Sequence, residues 1–186
     1  MLSRSSTGID FSLQREFVRS TFLIITGPDP RGIIHVGDHE HQYWLSWKSR
    51  DLKNAQKTWL EAKETCERFC MQLVSIEGPD ENVMVSDHVQ KGQVYGAWTG
   101  GLKCQEDGCM DPDGDVNWVW QPIRRFLHTT FAFWSGTGGL SMNQPDNLTG
   151  NEGCLAILNN WYGDGTAWHD LECEDRMPFI CEDRSE

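Results

Sequence analysis

Seven cysteines in a chain of 186 residues restrict how this sequence can fold more than any other feature. A protein in a reducing compartment rarely carries so many cysteines unless they bind zinc, so the count indicates disulfide bonds and an oxidising, extracellular location. The alternative is a zinc site with four thiolate ligands, from Cys66, Cys70, Cys104 and Cys109. That site would leave Cys154, Cys173 and Cys181 unexplained, so disulfide bonds are favoured.

The overall charge excludes one class of partner. The formal net charge is −12 and the pI is about 4.8. Binding to nucleic acid needs clustered Lys and Arg, so no nucleic-acid partner is expected. The longest N-terminal apolar run, Phe22–Ile25, is too short for a secretory signal or a membrane span. We therefore expect no membrane insertion, and the cysteines outweigh the missing signal in favour of secretion.

Local patterns divide the chain into an N-terminal extension (1–42), one domain (43–182) and a short C-terminal tail (183–186). The extension contains His35, His39 and His41, which we expect to be solvated because no carboxylates frame them. Nine tryptophans and eight phenylalanines predict a core built from large aromatic side chains.

Hydrophobic periodicity predicts two helices and several short strands. Apolar residues at helical spacing, from Trp59 to Phe69, indicate a first helix that Asn54 could cap. Pro79 begins a second helix that ends near Gln90. Strands are predicted at 43–47, 73–76, 95–99, 116–120, 154–158, 167–168 and 178–182. The stretch between Gln121 and Asn151 lacks periodicity, and so long a loop in a compact domain is usually functional.

A set of oxygen-bearing side chains lies in the second half of this loop and after it. Gln144, Asp146, Glu152 and Asp170 supply one carboxamide and three carboxylates, and such oxygens are what a hard cation such as Ca²⁺ requires.

An ordered series of motifs then resembles one family. The motifs are Trp59-x2-Ala62-x3-Cys66, Leu73-x2-Ile76, Trp98-Thr-Gly-Gly101, Gln144-Pro-Asp146, Glu152-Gly-Cys154-Leu-Ala-Ile157, Trp168-His-Asp170, Cys173 and Phe179-Ile-Cys-Glu182. Together they resemble the C-type lectin-like domain, and the segments 70–76 and 158–170 are similar to its arthropod members. The resemblance implies an α+β fold, with two helices packed on two small antiparallel sheets and a long loop region.

The resemblance also implies a disulfide framework. It pairs Cys66 with Cys181 and Cys154 with Cys173. Cys104 and Cys109 could close a short loop, while a bridge from Cys70 to either of them is the rival pairing. Cys70 stands where most family members have glycine. Either arrangement leaves one thiol without a partner inside the chain.

For the site, the resemblance implies that Gln144, Asp146, Glu152 and Asp170 are calcium ligands and that vicinal sugar hydroxyls complete the coordination. It implies a cis peptide before Pro145. His169 is the departure, because sugar-binding members have asparagine there and an imidazole suits a hard cation poorly. We therefore expect weak calcium binding, with His169 beside the bound sugar.

The same resemblance bears on sugar choice. Gln-Pro-Asp at 144–146 is associated with galactose-type ligands, which usually stack on an aromatic ring. No aromatic lies between Asp146 and Cys154, and the sequence does not place Trp161 or Tyr162. Asn147 begins an N-glycosylation acceptor beside the expected site, and an attached glycan would hinder access.

These observations favour a secreted, calcium-dependent carbohydrate-binding module that recognises microbial or self glycans, as in innate immunity. The alternative is a calcium-independent module of the same fold that binds a protein. No enzyme is expected: Glu152, Asp170 and His169 could exchange protons, but nothing supplies a nucleophile, oxyanion donors or a cofactor loop.

Overall fold

The computed structural model describes residues 31–36, 39–104, 118–127 and 131–184. Two antiparallel sheets form its frame. The four-stranded sheet contains β1 (Arg31–Val36), β2 (His39–Leu45), β3 (Gln72–Leu73) and β9 (Ile180–Arg184), in the order β1-β2-β9-β3. The five-stranded sheet contains β4 (Gly96–Lys103), β5 (Trp118–Trp120), β6 (Arg125–Phe126), β7 (Glu152–Asn159) and β8 (Thr166–Glu172), in the order β6-β5-β4-β7-β8.

Two helices, α1 (Trp59–Arg68) and α2 (Pro79–Lys91), complete the architecture. Helix α1 begins with a capping box: Thr58 Oγ1 accepts from the amide of Glu61, and the Glu61 carboxylate accepts from the amide of Thr58. The expected cap, Asn54, is therefore wrong, because the helix begins four residues later. Helix α2 starts at Pro79 and ends before Gly92, close to the predicted bounds. The α+β expectation is confirmed.

Large aromatic residues fill the core, as predicted. Of the nine tryptophans, Trp44, Trp59, Trp98, Trp118, Trp120 and Trp168 are buried. Two of their indole N–H groups donate hydrogen bonds that connect separate parts of the fold. Trp98 donates to the carbonyl of Lys57 at 2.9 Å, and Trp168 donates to Asn82 Oδ1 at 2.8 Å. The second bond ties α2 to β8, the strand that carries two of the predicted site residues.

Two disulfide bonds cross-link the described part of the domain, one of long range and one local. Cys66 on α1 is bonded to Cys181 on β9, across a sequence separation of 115 residues. Cys154 on β7 is bonded to Cys173, just after β8. Both pairings are those that the resemblance implies. Because Cys66 is bonded to Cys181, it is not available as a zinc ligand, which excludes the site with four thiolates.

The remaining cysteines differ in their state. Cys104 is also disulfide-bonded, and the predicted partner Cys109 lies outside the described residues. Cys70 is a free, exposed thiol with φ of 56°. Glycine adopts this left-handed conformation most readily, which explains why glycine is usual at this position.

The expectation that the N-terminal histidines are solvated is wrong for His41. Its side chain is only 13% exposed and its Nδ1 lies 3.7 Å from Glu182 Oε2 and 4.0 Å from Glu81 Oε1. Strand β2 brings it there by pairing with β9. The boundary between an extension (1–42) and the domain (43–182) stays a prediction, although β1 and β2 belong to the first sheet. Within the described residues no helix is long and apolar enough to cross a membrane.

Candidate carboxylate site beside strands β7 and β8

The candidate site lies where the loop 131–151 meets strands β7 and β8. The amide of Ser135 donates to the carbonyl of Trp168 at 3.0 Å, and the amide of Gln144 donates to the carbonyl of Ser135 at 2.9 Å. These bonds bring the segment after Gln144 beside β8. The Gln144–Pro145 peptide is cis, as the resemblance implies.

Three of the four predicted ligands converge at this place. Asp146, Glu152 and Asp170 each have a carboxylate oxygen within 4.8 Å of the others. Glu152 begins β7, and Asp170 lies on β8 opposite Leu155. Glu152 is 7% exposed and Asp170 is 2% exposed. Two of the three carboxylates are therefore almost entirely removed from solvent.

Backbone amides of the Gln-Pro-Asp loop turn toward these carboxylates. Asp170 Oδ1 accepts from the amide of Asp146 at 3.0 Å, and its Oδ2 accepts from the amide of Asn147 at 2.9 Å. Glu152 Oε2 accepts from the amide of Leu148 at 2.6 Å. Asp146 Oδ1 also accepts from this amide, at 3.2 Å, while its Oδ2 is buried without a hydrogen-bond partner. The loop thus preorganises the cluster and leaves one oxygen available.

The surroundings of Glu152 and Asp170 disfavour the charged form of each carboxylate. Burial raises the pKa of Glu152 above its ordinary value, and the charges of Asp170 and Asp146 raise it further. Burial also raises the pKa of Asp170, although hydrogen bonds from the amides of Asn147 and Asp146 oppose the increase. Three carboxylates this close together favour either a bound proton or a bound cation.

The side chain of Gln144 contacts the cluster through a hydrogen bond from the backbone of Asp170. Its Oε1 accepts from the amide of Asp170 at 3.3 Å, and its side chain is buried. Its amide nitrogen occupies the space beside Gly138, where an added Cβ would come within 2.0 Å. Gly138 is therefore needed for this position of Gln144.

His169 does not join the cluster. Its side chain is 1% exposed, and its Nε2 lies 2.8 Å from Asp164 Oδ2, which also accepts from the hydroxyl of Ser135. Burial lowers the pKa of His169, whereas the hydrogen bond and charge of Asp164 raise it. The position of His169 beside a bound sugar stays a prediction, and the structure adds that its ring pairs with Asp164. Nothing in the sequence singled out Asp164.

Tyr162 is the aromatic residue beside the cluster. Its ring centroid lies 5.3 Å from that of His169, and the ring is partly exposed. Burial raises the pKa of the Tyr162 hydroxyl, and the nearby charges of Glu152 and Asp146 raise it further. Trp161 instead packs against Tyr95, at 5.9 Å between ring centroids. Tyr162 lies in the loop between β7 and β8. Its place beside the cluster therefore depends on how that loop folds, which the sequence does not indicate.

Asn147 is also part of the local hydrogen-bond network. Its Oδ1 accepts from the amide of Glu152 at 2.9 Å, and the residue has φ of 47°. Asparagine tolerates this left-handed conformation better than most residues. The side-chain nitrogen that would carry a glycan belongs to a residue next to the carboxylates.

Comparisons with known proteins agree with this architecture. The sequence profile of the family "Lectin C-type domain" matches residues 55–183, so the chain belongs to this family. The chain is 30% identical to "Lectin subunit alpha" of Sarcophaga peregrina over 67% of its own length and 40% of that protein. It is 25% identical to "C-type lectin mosGCTL-7" of Aedes aegypti, over 72% of this chain and 81% of that protein. Both relatives come from insects, which supports the resemblance to arthropod members.

A solved structure shares the fold. It is the C-type lectin domain of murine dendritic cell inhibitory receptor 2, in complex with N-glycan. The TM-score is 0.61 at 18% identity, with 86% of this chain and 100% of that chain covered. Membership of a lectin family supports the expectation that the chain is a binding protein and not an enzyme.

Proposed function

We propose that the chain is a calcium-dependent carbohydrate-binding module. The observation that supports this most is the convergence of Asp146, Glu152 and Asp170 within 4.8 Å of one another. Two of these carboxylates have raised pKa values, and Asp146 keeps a buried oxygen without a partner. A cation would neutralise the mutual repulsion and use the free oxygen.

The donor set fits calcium. Ca²⁺ takes ~6–8 oxygen ligands and tolerates irregular geometry. Asp146, Glu152 and Asp170 would hold the ion, with Gln144 Oε1 as the fourth predicted ligand. His169 is turned to Asp164 and supplies no oxygen, so we expect a dissociation constant of about 10⁻⁴–10⁻³ M, as in extracellular modules. The ion, when bound, would supply a positive centre for two vicinal sugar hydroxyls.

The side chains themselves would orient the sugar. The carboxylates of Asp146 and Glu152 would accept hydrogen bonds from the hydroxyls, and no bond would be made or broken. The Gln-Pro-Asp sequence at 144–146 supports a galactose-type ligand. The ring of Tyr162, held against His169, offers a surface for the apolar face of such a sugar.

The proposal includes the location of the protein and its biological role. The disulfide bonds and the insect lectin relatives support secretion and a role in innate immunity, through recognition of microbial or self glycans. We also propose that glycosylation of Asn147, which begins an acceptor sequence at the site, hinders access of the ligand. Mass spectrometry of the secreted protein tests this, and an unmodified Asn147 would contradict it.

Retention on immobilised galactose tests the function. We expect the protein to be retained with about 10 mM Ca²⁺ and released by a chelator. Asp146→Ala should abolish retention. Glu64→Gln, which removes an exposed charge on α1, should not. Retention that survives the chelator would contradict the calcium requirement.

One observation favours a second function. The ring of His169 pairs with Asp164, and sugar-binding members have an asparagine ligand at this position. The site therefore lacks one oxygen ligand. The alternative is a calcium-independent module that binds a protein partner. Failure of the protein to bind any immobilised sugar with Ca²⁺ present would favour it.

A further inference from the structure

A groove of about 380 Å³ lies beside the start of β7, between residues that the structure describes. Its walls come from the end of β4, the loop before β7 and the turn after β8. Glu152 belongs both to the carboxylate cluster and to the lining of this groove. We call this space the β7 groove.

Disulfide bonds and the sheet shape the walls of the β7 groove. Cys173 is bonded to Cys154 on β7, and Cys104 is also disulfide-bonded. The pairing of β7 with β8 shifts register between Glu152 and Cys154, and Gly153, which lines the groove, lies in this irregularity. Such a bulge bends the strand, and glycine adds no side chain to fill the space. The groove is therefore a preformed feature of the cross-linked sheet.

Asn147 lines the groove and is held at three of its atoms. Its amide donates to Asp170 Oδ2 at 2.9 Å, and its carbonyl accepts from the amide of Gly150 at 2.9 Å. Its Oδ1 accepts from the amide of Glu152 at 2.9 Å. The last bond fixes the plane of the side-chain amide, and with it the direction of Nδ2, the atom to which an N-glycan is attached. A glycan on Asn147 therefore starts at the wall of the groove in a fixed orientation.

The groove offers polar partners that suit a sugar. The ammonium of Lys103 can donate hydrogen bonds, the carboxylate of Glu174 can accept them, and the side-chain amide of Asn151 can do both. A neutral sugar with hydroxyl groups and an acetamide satisfies all three. An apolar ligand would remove these groups from water without replacing their hydrogen bonds.

Attachment at Asn147 favours the protein's own glycan over a free ligand. A group held by a short flexible link has an effective concentration in the millimolar range. The first sugar of an attached glycan would therefore fill the groove even where a free sugar binds it with only millimolar affinity.

We propose that the β7 groove seats the first N-acetylglucosamine of a glycan attached to Asn147. This inference rests on the glycosylation included in the proposed function, and it adds where the glycan lies and which side chains hold it. The seated sugar lies beside Glu152, so it narrows the approach to the carboxylate cluster from this side.

The experiment measures how quickly peptide N-glycosidase releases the glycan from native, oxidised protein secreted by cultured mammalian cells. Mass spectrometry first establishes that Asn147 carries a glycan. We expect Lys103→Ala combined with Glu174→Ala to speed the release about tenfold, because two hydrogen-bonding partners of the sugar are removed. Asn151→Ala alone should speed it about threefold.

A charge-matched variant is the control. Lys91→Ala combined with Glu64→Ala removes one positive and one negative charge at exposed positions of the two helices, and it should keep the release rate of the parent. After unfolding and reduction, all of these proteins should release the glycan at one rate, which shows that the attached glycans are equivalent.

The outcomes separate this inference from the proposed function. Equal native rates in the parent and in both groove variants would overturn the inference and leave glycosylation and sugar binding standing. A control that releases the glycan as fast as the groove variants would also overturn it, because the effect would then not belong to the groove. An unmodified Asn147 would overturn the proposed glycosylation, and this inference with it, whereas retention on galactose tests the carbohydrate-binding function separately.

Discussion

Glu152→Gln should change the stability of the protein in opposite directions with and without calcium. The glutamine is isosteric, and its carbonyl oxygen can keep the hydrogen bond from the amide of Leu148. The substitution removes one of three converging negative charges. Without an ion it relieves repulsion, whereas with an ion it removes a ligand.

The magnitudes follow from the geometry. Two unit charges 4.8 Å apart interact by about 3.5 kcal/mol at an effective dielectric constant of ~20. Burial and the charges of Asp170 and Asp146 raise the pKa of Glu152, so its charged form is disfavoured, and we expect Glu152→Gln to gain about 1 kcal/mol in chelator. At about 10 mM Ca²⁺, a dissociation constant of 10⁻⁴–10⁻³ M stabilises the parent protein by about 1.4–2.7 kcal/mol. The variant should lose most of that gain.

Urea unfolding of the oxidised protein at pH 7 measures both effects. The variant should be the more stable protein in chelator and the less stable one in calcium. Glu64→Gln, which removes an exposed charge on α1, is the control and should follow the parent in both conditions. A variant that is less stable than the parent in chelator would refute the argument that the cluster is electrostatically strained.

Three further outcomes are expected. The stability advantage of Glu152→Gln in chelator should grow as pH rises above 4.5. The pKa of Glu152 is raised in the folded state, so ionisation of this carboxyl destabilises the fold of the parent protein but not that of the variant. Unfolding curves from pH 4 to 7 would contradict this if the difference between the two proteins stayed constant. Replacing Cys66 and Cys181 together by alanine should lower the free energy of unfolding by about 4–5 kcal/mol, since the bridge closes a loop of 115 residues; a denaturant midpoint close to that of the parent would refute it. His169→Ala should cost about 1–3 kcal/mol of stability by removing one of the two side-chain partners of Asp164, yet change the calcium dissociation constant by less than about threefold; a large loss of affinity in a calorimetric titration would make His169 a ligand after all.

Much of the fold could be predicted because its signals are local or highly specific. The apolar spacing from Trp59 and the proline at 79 located both helices to within a few residues. The cap of α1 was missed, because Asn54 and Thr58 are both good capping residues and only the position of the first helical turn distinguishes them. The burial of His41 was missed for a different reason. It depends on pairing between β2 and β9, which lie far apart in the sequence.

The candidate site was likewise predictable only in part. The ordered motifs identified Asp146, Glu152 and Asp170, which the structure brings together, and their role as calcium ligands stays a prediction. The partner of His169 and the position of Tyr162 could not be predicted. Both depend on where the loop between β7 and β8 places Asp164 and Tyr162, and no spacing rule for side chains describes such a loop.

The most direct test of the central claim is a calorimetric titration of Ca²⁺ into chelator-stripped, fully oxidised protein, with Asp146→Ala as the comparison. The account predicts one site with a dissociation constant of about 10⁻⁴–10⁻³ M that the substitution abolishes. Absence of binding in the parent protein, or binding that Asp146→Ala leaves unchanged, would contradict it.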